Sequence, residues 1–146
     1  DKHFFVEKTK QAGVVVFGQN TFETIRKPLK DRLTIVYSRD KQYAALQGEP
    51  RPESGREGVE VTQKEPQELL EDLAKRGYKE VAICGGATIY TMFMQAGVVD
   101  KLYLSVEPVL FGQGLTLFNK ELDKKLTLVS IQKLGDNTIL IEYKVA

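Results

Sequence analysis

The sequence predicts an α/β domain of three layers, with helices on both faces of a mixed, mostly parallel sheet that ends in an antiparallel hairpin. Three observations carry that expectation. Short apolar runs such as Val14-Val-Val-Phe17 and Val81-Ala-Ile-Cys84 alternate with segments of helical period, the pattern of parallel strands joined by crossover helices. Two of these runs pass through glycine directly into a helix start, at Gly18 and at Gly85-Gly86. Finally, Leu126 to Leu134 and Thr138 to Val145 alternate with period two around Gly135-Asp-Asn137, which reads as a hairpin.

Taken in order, Asp1 to Gln11 reads as a helix with Phe4, Phe5, Lys8 and Ala12 along a narrow stripe, closed by Gly13 as a C-cap glycine closes one. Val14 to Phe17 is short and β-branched, a buried strand. Asn20 with Glu23 three residues later marks a helix start, and the short helix from Thr21 to Ile25 is halted before Pro28. Arg32 to Tyr37 is the next strand, leading to Ser38-Arg39-Asp40. From Gln42 to Gly58 the composition turns to Gly, Pro, Glu and Arg without periodicity, a surface loop. Val59 to Val61 is a brief strand. Pro66 opens a helix carrying Leu69, Leu70, Leu73 and Ala74, ended by Gly77. After the strand at Val81, Ile89, Met92, Phe93 and Ala96 recur at i, i+3, i+4 and i+7, one face of a helix. Val98 to Glu107 is a strand closed by Pro108, and Leu117-Phe118 is expected as a buried anchor.

Residues 1–146 have the size and composition of one globular domain, 42% hydrophobic and 28% charged. With 21 basic against 20 acidic side chains, no field for nucleic acid or a membrane surface is implied. One cysteine excludes an internal disulfide, and one histidine beside it excludes the common zinc sets, so the expectation is a reduced, cytoplasmic protein without a metal. Cys84 reads as a small buried hydrophobe and His3 as an exposed helix residue. No apolar run approaches the roughly 20 residues that span a bilayer. The chain begins at Asp1 rather than methionine, and something upstream is expected to be absent.

The segment Glu80 to Ala96 is the candidate active-site hub. Two consecutive glycines at a strand-to-helix junction let a ligand approach the main chain, and the helix behind them offers unpaired N–H groups and a positive dipole end, suited to a phosphate. A plain tight turn is the competing reading. In a parallel sheet the junctions at Gly18 and Gly85 fall on one edge, where two helix starts would flank a pyrophosphate. Neither G-x-G-x-x-G, nor G-x-x-x-x-G-K-[ST], nor G-x-S-x-G occurs, so the common dinucleotide, triphosphate and hydrolase signatures are absent. Tyr90, one turn into the helix, points either at a ligand or into the core.

Thr21-Phe-Glu-Thr-Ile-Arg-Lys-Pro-Leu-Lys-Asp-Arg32, the strand to Ser38-Arg39, and Ile83-Cys-Gly-Gly-Ala-Thr-Ile-Tyr90 resemble the dihydrofolate reductase superfamily. Asp100-Lys-Leu-Tyr-Leu-Ser-Val-Glu-Pro-Val-Leu-Phe-Gly-Gln-Gly114 with Leu117-Phe118 looks more like the reductase domain of the riboflavin-biosynthesis deaminase-reductases. The resemblance covers nearly the whole chain. It implies a dihydrofolate reductase-like fold and hydride transfer from NADPH to a C=N or C=O bond of a pterin or ribosylated pyrimidine. It also implies a cis peptide at Gly85-Gly86. Gly18, Gln19, Asn20 and Thr21 would line the pyrophosphate on one side, with Gly85, Gly86, Ala87, Thr88 and Ile89 on the other. Ser38 and Arg39 would meet the adenosine 2′-phosphate, and Tyr90 would lie by the nicotinamide. Phe5, Ile25 and Leu29 would wall the substrate, Arg32 would fork to its carboxylate or phosphate, and Ser105 would form the floor.

Two departures qualify the resemblance. Many reductases of this family carry arginine where this chain has Gln19, which removes a cation from the cofactor phosphates and leaves Arg39 to set NADPH against NADH. The family's first strand and mobile loop would precede Asp1, so the domain is expected to be N-terminally incomplete. Asp1 aligns roughly with the family's substrate-gripping acid, a catalytic role that competes with that of a helix cap. Reduction of dihydrofolate is the leading expectation. Reduction of 5-amino-6-(5-phosphoribosylamino)uracil and a non-enzymatic nucleotide-binding module are the alternatives, each as monomer or homodimer.

Overall fold

The computed structural model describes residues 2–25, 29–40 and 58–146. Strand β1 (Val14–Gly18) lies inside a four-stranded parallel sheet, between β2 (Leu33–Tyr37) and β4 (Ala82–Ile83), with β3 (Gly58–Thr62) outside β2. A strand that is apolar at every position can bury both faces, and β1 does so. Val14 and Val16 point into one core with Leu33, Ile35, Leu69, Leu73, Ile89 and Phe93, whereas Val15 and Phe17 join Phe22, Val36 and Val59 in another. Helices α3 (Pro66–Lys75) and α4 (Ala87–Gln95) supply the first core, and α2 (Gln19–Ile25) supplies Phe22 to the second. These are the three expected layers.

The sheet order places the ligand edge. The chain runs outward from β1 to β2 and β3, then α3 carries it back to β4 on the other side of β1. The direction of winding therefore reverses between β1 and β4, and in open α/β sheets the crevice at that reversal, at the carboxyl ends of the strands, is where ligands bind. Gly18 and Gly85 stand there. Strand β4 is shorter than the apolar run from Val81 to Cys84. After Cys84 N–H donates to the Val16 carbonyl at 2.9 Å, the positive φ of Gly85, 120°, turns the chain out of the ladder.

Helix α1 (Lys2–Ala12) packs against β1 and β4, and Gly13 carries the chain on, its carbonyl accepting from Leu33 N–H at 2.9 Å. Helix α2 begins at Gln19, two residues before the expected Thr21. The segment 41–57, most of the expected surface loop, and residues 26–28 lie outside the described residues.

The expected antiparallel hairpin is present, in a sheet of its own. The hairpin does not extend the parallel sheet: β5 (Lys101–Val106), β7 (Ile139–Val145) and β6 (Leu126–Lys133) form a second, antiparallel sheet in the order β5-β7-β6. No described strand bridges β4 and β5, because β4 pairs over only two residues and only with β1. The two sheets are instead linked by side chains. Phe4 of α1 stacks obliquely on Tyr103 of β5, centroids 5.5 Å apart, with Lys8 Nζ 5.0 Å from the same ring. Beyond β5, Phe118 meets Tyr90 edge-on at 6.3 Å. Leu117, the other half of the expected anchor, is 42% exposed.

The two faces of the second sheet differ. Registered partners share a face, so Tyr103, Glu142 and Ser130 lie on the side of α1, while Leu104, Ile141 and Ile131 lie on the other. Among the described residues no helix is long and apolar enough to cross a membrane.

Phe93 is the largest fully buried side chain of the first core and meets Tyr37 edge-on at 6.0 Å. Phe93→Ala is expected to cost ~3–5 kcal/mol of unfolding free energy in urea titration. A loss under about 1 kcal/mol would show that this core is not the one that holds α4 to the sheet.

Candidate functional site

Two strand-to-helix junctions meet at the carboxyl edge, between β1 and β4. Gly18 N–H donates to the Gly85 carbonyl at 2.7 Å, which ties the end of β1 to the chain leaving β4. A Cβ on Gly18 would stand 3.0 Å from Ile89 Cγ1, and one on Gly86 would stand 3.1 Å from Thr21 Oγ1. Glycine at both positions is therefore what allows α2 and α4 to begin this close together. The Gly85-Gly86 peptide is cis, as the resemblance implied.

Helix α4 starts without a side-chain cap. Gly86 is its N-cap residue and carries none, and Tyr90 N–H is satisfied by the Gly86 carbonyl at 2.9 Å. The amides of Ala87, Thr88 and Ile89 belong to the turn that has no carbonyl within the helix to bond, and they carry the positive end of its dipole. Their side chains differ: Ile89 is core and can offer only its backbone, while Thr88 is exposed.

Beside this pair, Ser38 at the end of β2 donates from Oγ to Gln19 Oε1 at 2.7 Å and accepts from Asp40 N–H at 2.9 Å. Gln19, where an arginine was noted in similar reductases, thus serves as an acceptor that joins α2 to the β2 edge. Arg39 is exposed next to it, as is Asn20. Tyr90 folds back over the glycines, its Oη 3.5 Å from where a Gly85 Cβ would stand. Burial, reinforced by Cys84, pushes its phenol above the ordinary range.

The expected cofactor residues therefore gather at one edge. The expected substrate residues are spread more widely. Phe5 is 38% exposed on α1, and Ile25 and Leu29 pack against the second core. Arg32 is only 5% exposed. Its Nη1 donates to Thr9 Oγ1 at 2.8 Å and its Nε to the Lys30 carbonyl at 2.9 Å, so part of the fork expected for a ligand is already bonded within the protein. Burial lowers the pKa of this guanidinium, with Asp31 opposing. Ser105 is exposed on the second sheet and donates to Glu107 Oε1 at 2.9 Å. Asp1 lies outside the described residues.

Asn119 was not singled out in the sequence. Its Nδ2 donates to Thr88 Oγ1 at 2.8 Å and its backbone N–H to Thr91 Oγ1 at 3.0 Å, pinning the segment after β5 to the first turns of α4. The signal was its place after Phe118. A polar residue just beyond an aromatic anchor is held where it can bond the element the anchor touches.

Cys84 completes the surroundings. Burial pushes its thiol from the ordinary 9.0 up to about 12, with Arg32 opposing. A raised thiol pKa means the folded state keeps a proton that the unfolded chain releases, so stability falls as pH rises from 9.0 towards about 12. Alkylation of the native protein is expected to be far slower than in denaturant at neutral pH, with a rate still climbing above pH 9.0. A plateau near that value would show an ordinary, accessible thiol.

Residues 1–140 match the RibD C-terminal domain family. Among solved structures, this chain resembles a protein of Shewanella sp. PV-4 ascribed to riboflavin biosynthesis, with TM-score 0.75, 21% identity and coverage of 97% of this chain and 78% of that one. It is also similar to the diaminohydroxyphosphoribosylaminopyrimidine deaminase/5-amino-6-(5-phosphoribosylamino)uracil reductase of Thermotoga maritima, with TM-score 0.75, 16% identity and coverage of 100% and 49%. Uncharacterized protein YyaP of Bacillus subtilis is 32% identical over 80 residues, 52% of this chain and 41% of that protein. The family match favours the riboflavin alternative over the dihydrofolate expectation. The fold, the paired glycine junctions and the match over nearly the whole length lead to one assignment: the chain belongs to the RibD C-terminal domain family.

Proposed function

We propose that this chain is the reductase part of an NADPH-dependent oxidoreductase whose substrate is a phosphoribosylated aminopyrimidine, 5-amino-6-(5-phosphoribosylamino)uracil or a close analogue. The observation that carries the cofactor half is the Gly18 to Gly85 hydrogen bond at 2.7 Å, which sets two glycine-led helix starts side by side at the switch point of the sheet. The residues fit a dinucleotide. The glycines leave the main chain open to close approach, and the uncapped amides of Ala87, Thr88 and Ile89 suit a pyrophosphate. Family membership supports the pyrimidine half.

In this reading the nicotinamide supplies the hydride when bound. The protein's part is to bind and orient. Gly18, Gln19, Asn20 and Thr21 line one side of the pyrophosphate, and Gly85 and Gly86 with the first turn of α4 line the other. Exposed Arg39 meets the adenosine 2′-phosphate, with Ser38 beside it fixed by its bond to Gln19. Tyr90, folded over Gly85, bounds the nicotinamide end and excludes water there. Phe5, Ile25, Leu29, Arg32 and Ser105 are the substrate-side candidates. The engaged guanidinium of Arg32 suits a ligand oxygen that adds to the bonds it already makes. Asp1 keeps its proposed role of gripping the substrate.

The test is oxidation of NADPH by the full-length protein with the phosphoribosylaminouracil and with dihydrofolate, for the wild type and Arg39→Ala. The expected result is turnover of the pyrimidine and not of dihydrofolate. Arg39→Ala should weaken NADPH by about 1.5–3 kcal/mol, the scale of a charge-assisted hydrogen bond, and scarcely alter NADH. Turnover of dihydrofolate alone would overturn the substrate, and equal losses for both cofactors would move the 2′-phosphate away from Arg39.

A further inference from the structure

Between Glu107 and Lys125 the chain forms neither helix nor strand, and every residue there but Phe118 and Leu122 is exposed. The segment nevertheless reaches the glycine edge. Phe118 lies edge-on to Tyr90, and Asn119 makes two bonds to α4, from its backbone N–H to Thr91 Oγ1 at 3.0 Å and from its side-chain Nδ2 to Thr88 Oγ1 at 2.8 Å. Thr88 and Thr91 are three residues apart and share a face of the helix. The ring contact and the main-chain bond already dock the segment. The side-chain bond does more than dock it, because it ends on an exposed residue in the first turn of α4, two positions after Gly86.

A threonine hydroxyl has one proton to give and two lone pairs to accept with. Thr9 uses both functions: it accepts from Arg32 Nη1 at 2.8 Å and donates to the Phe5 carbonyl, four residues back, at 2.7 Å. Thr88 accepts from an amide in the same way, but the residue four back is Cys84, before the glycine turn. Among the described residues the Thr88 proton has no acceptor. Asn119 takes one lone pair and excludes the proton from that direction, so the proton is kept for an acceptor that the chain itself does not supply.

We propose that Asn119 is a positioning residue for the phosphate end of the crevice: by donating to Thr88 Oγ1 it holds the Thr88 hydroxyl as a donor to a pyrophosphate oxygen, beside the uncapped amides of the same turn. The inference rests on the dinucleotide reading above. A pyrophosphate oxygen is charged and only accepts, so a hydroxyl fixed in the donor sense makes the stronger, charge-assisted kind of bond with it. An amide that donates to the hydroxyl also polarises it towards giving up its own proton in a second bond. Asn119 acts through Thr88 and does not itself touch the ligand.

The test is a double-mutant cycle in the full-length protein, read as dissociation constants for NADP⁺ and for adenosine 2′-phosphate, which lacks the pyrophosphate, with circular dichroism to verify folding. Asn119→Ala removes only the side-chain bond, since the main-chain bond to Thr91 and the contact of Phe118 remain. Thr88→Val is expected to weaken NADP⁺ about 10–100-fold, the scale of a hydrogen bond to a charged group, and Asn119→Ala about 3–10-fold. The double variant is expected to bind no more weakly than Thr88→Val alone, whereas Thr88→Ser, which keeps the hydroxyl, should preserve the effect of Asn119→Ala. Adenosine 2′-phosphate, held at the Arg39 end, should bind all variants alike. Additive losses in the cycle, or equal losses for both ligands, would make Asn119 a structural residue and overturn the inference. So would undiminished NADP⁺ affinity in Asn119→Ala, with the dinucleotide reading left standing because the wild type binds. A folded wild type that does not bind NADP⁺ would overturn that reading and this inference with it.

Discussion

The bond from Gly18 N–H to the Gly85 carbonyl, 2.7 Å long, is the constraint on which the rest of the site depends. It forms where two parallel strands have stopped pairing and their chains are about to become helices. A side chain on Gly18 would push into Ile89, and one on Gly86 into Thr21, so the closeness of the two helix starts is set by the absence of two Cβ atoms. That closeness turns two ordinary strand-to-helix turns into one lined crevice. Ser38, Gln19 and Asn119 then hold the surrounding chain ends by side-chain bonds of 2.7–2.8 Å.

The crevice is maintained from below by packing. The strictly apolar run Val14 to Phe17 feeds two cores, one on each face of the sheet, which fixes β1 centrally and sets the starts of α2 and α4 side by side at its carboxyl end. The glycines of that edge bring no side chain to either core. It is free to be shaped for a ligand because Phe93, Leu73 and Phe22 hold the layers together beneath it.

Much of this was legible in the sequence, for identifiable reasons. Helix and strand periods separated cleanly, and Gly18 and Gly85-Gly86 marked the junctions because glycine there has a steric cause. The hairpin around Gly135 was equally plain. Three features were less so. The separation of the antiparallel strands into their own sheet depends on what pairs with the outer edge of β4, and a strand's neighbours are not written in its own residues. Arg32 looked like a ligand fork because an arginine's type does not reveal that Thr9, 23 positions away, will take one of its donors. Asn119 went unremarked because its partners, Thr88 and Thr91, are brought to it by tertiary packing alone. The substrate leaned narrowly to dihydrofolate on the segment Thr21 to Arg32, an expectation that family membership over residues 1–140 does not support, favouring the pyrimidine alternative instead.

The central claim is that one crevice, between the ends of β1 and β4, takes a dinucleotide phosphate. Its most direct test is amide chemical-shift mapping of the ¹⁵N-labelled full-length protein during titration with NADP⁺. The account predicts that the largest saturable changes fall on Gly18, Gln19, Gly86, Ala87, Thr88 and Ile89, with Arg39 responding to NADP⁺ and not to NAD⁺. Saturable changes centred on the β5-β7-β6 sheet, with the glycine amides unmoved, would contradict it.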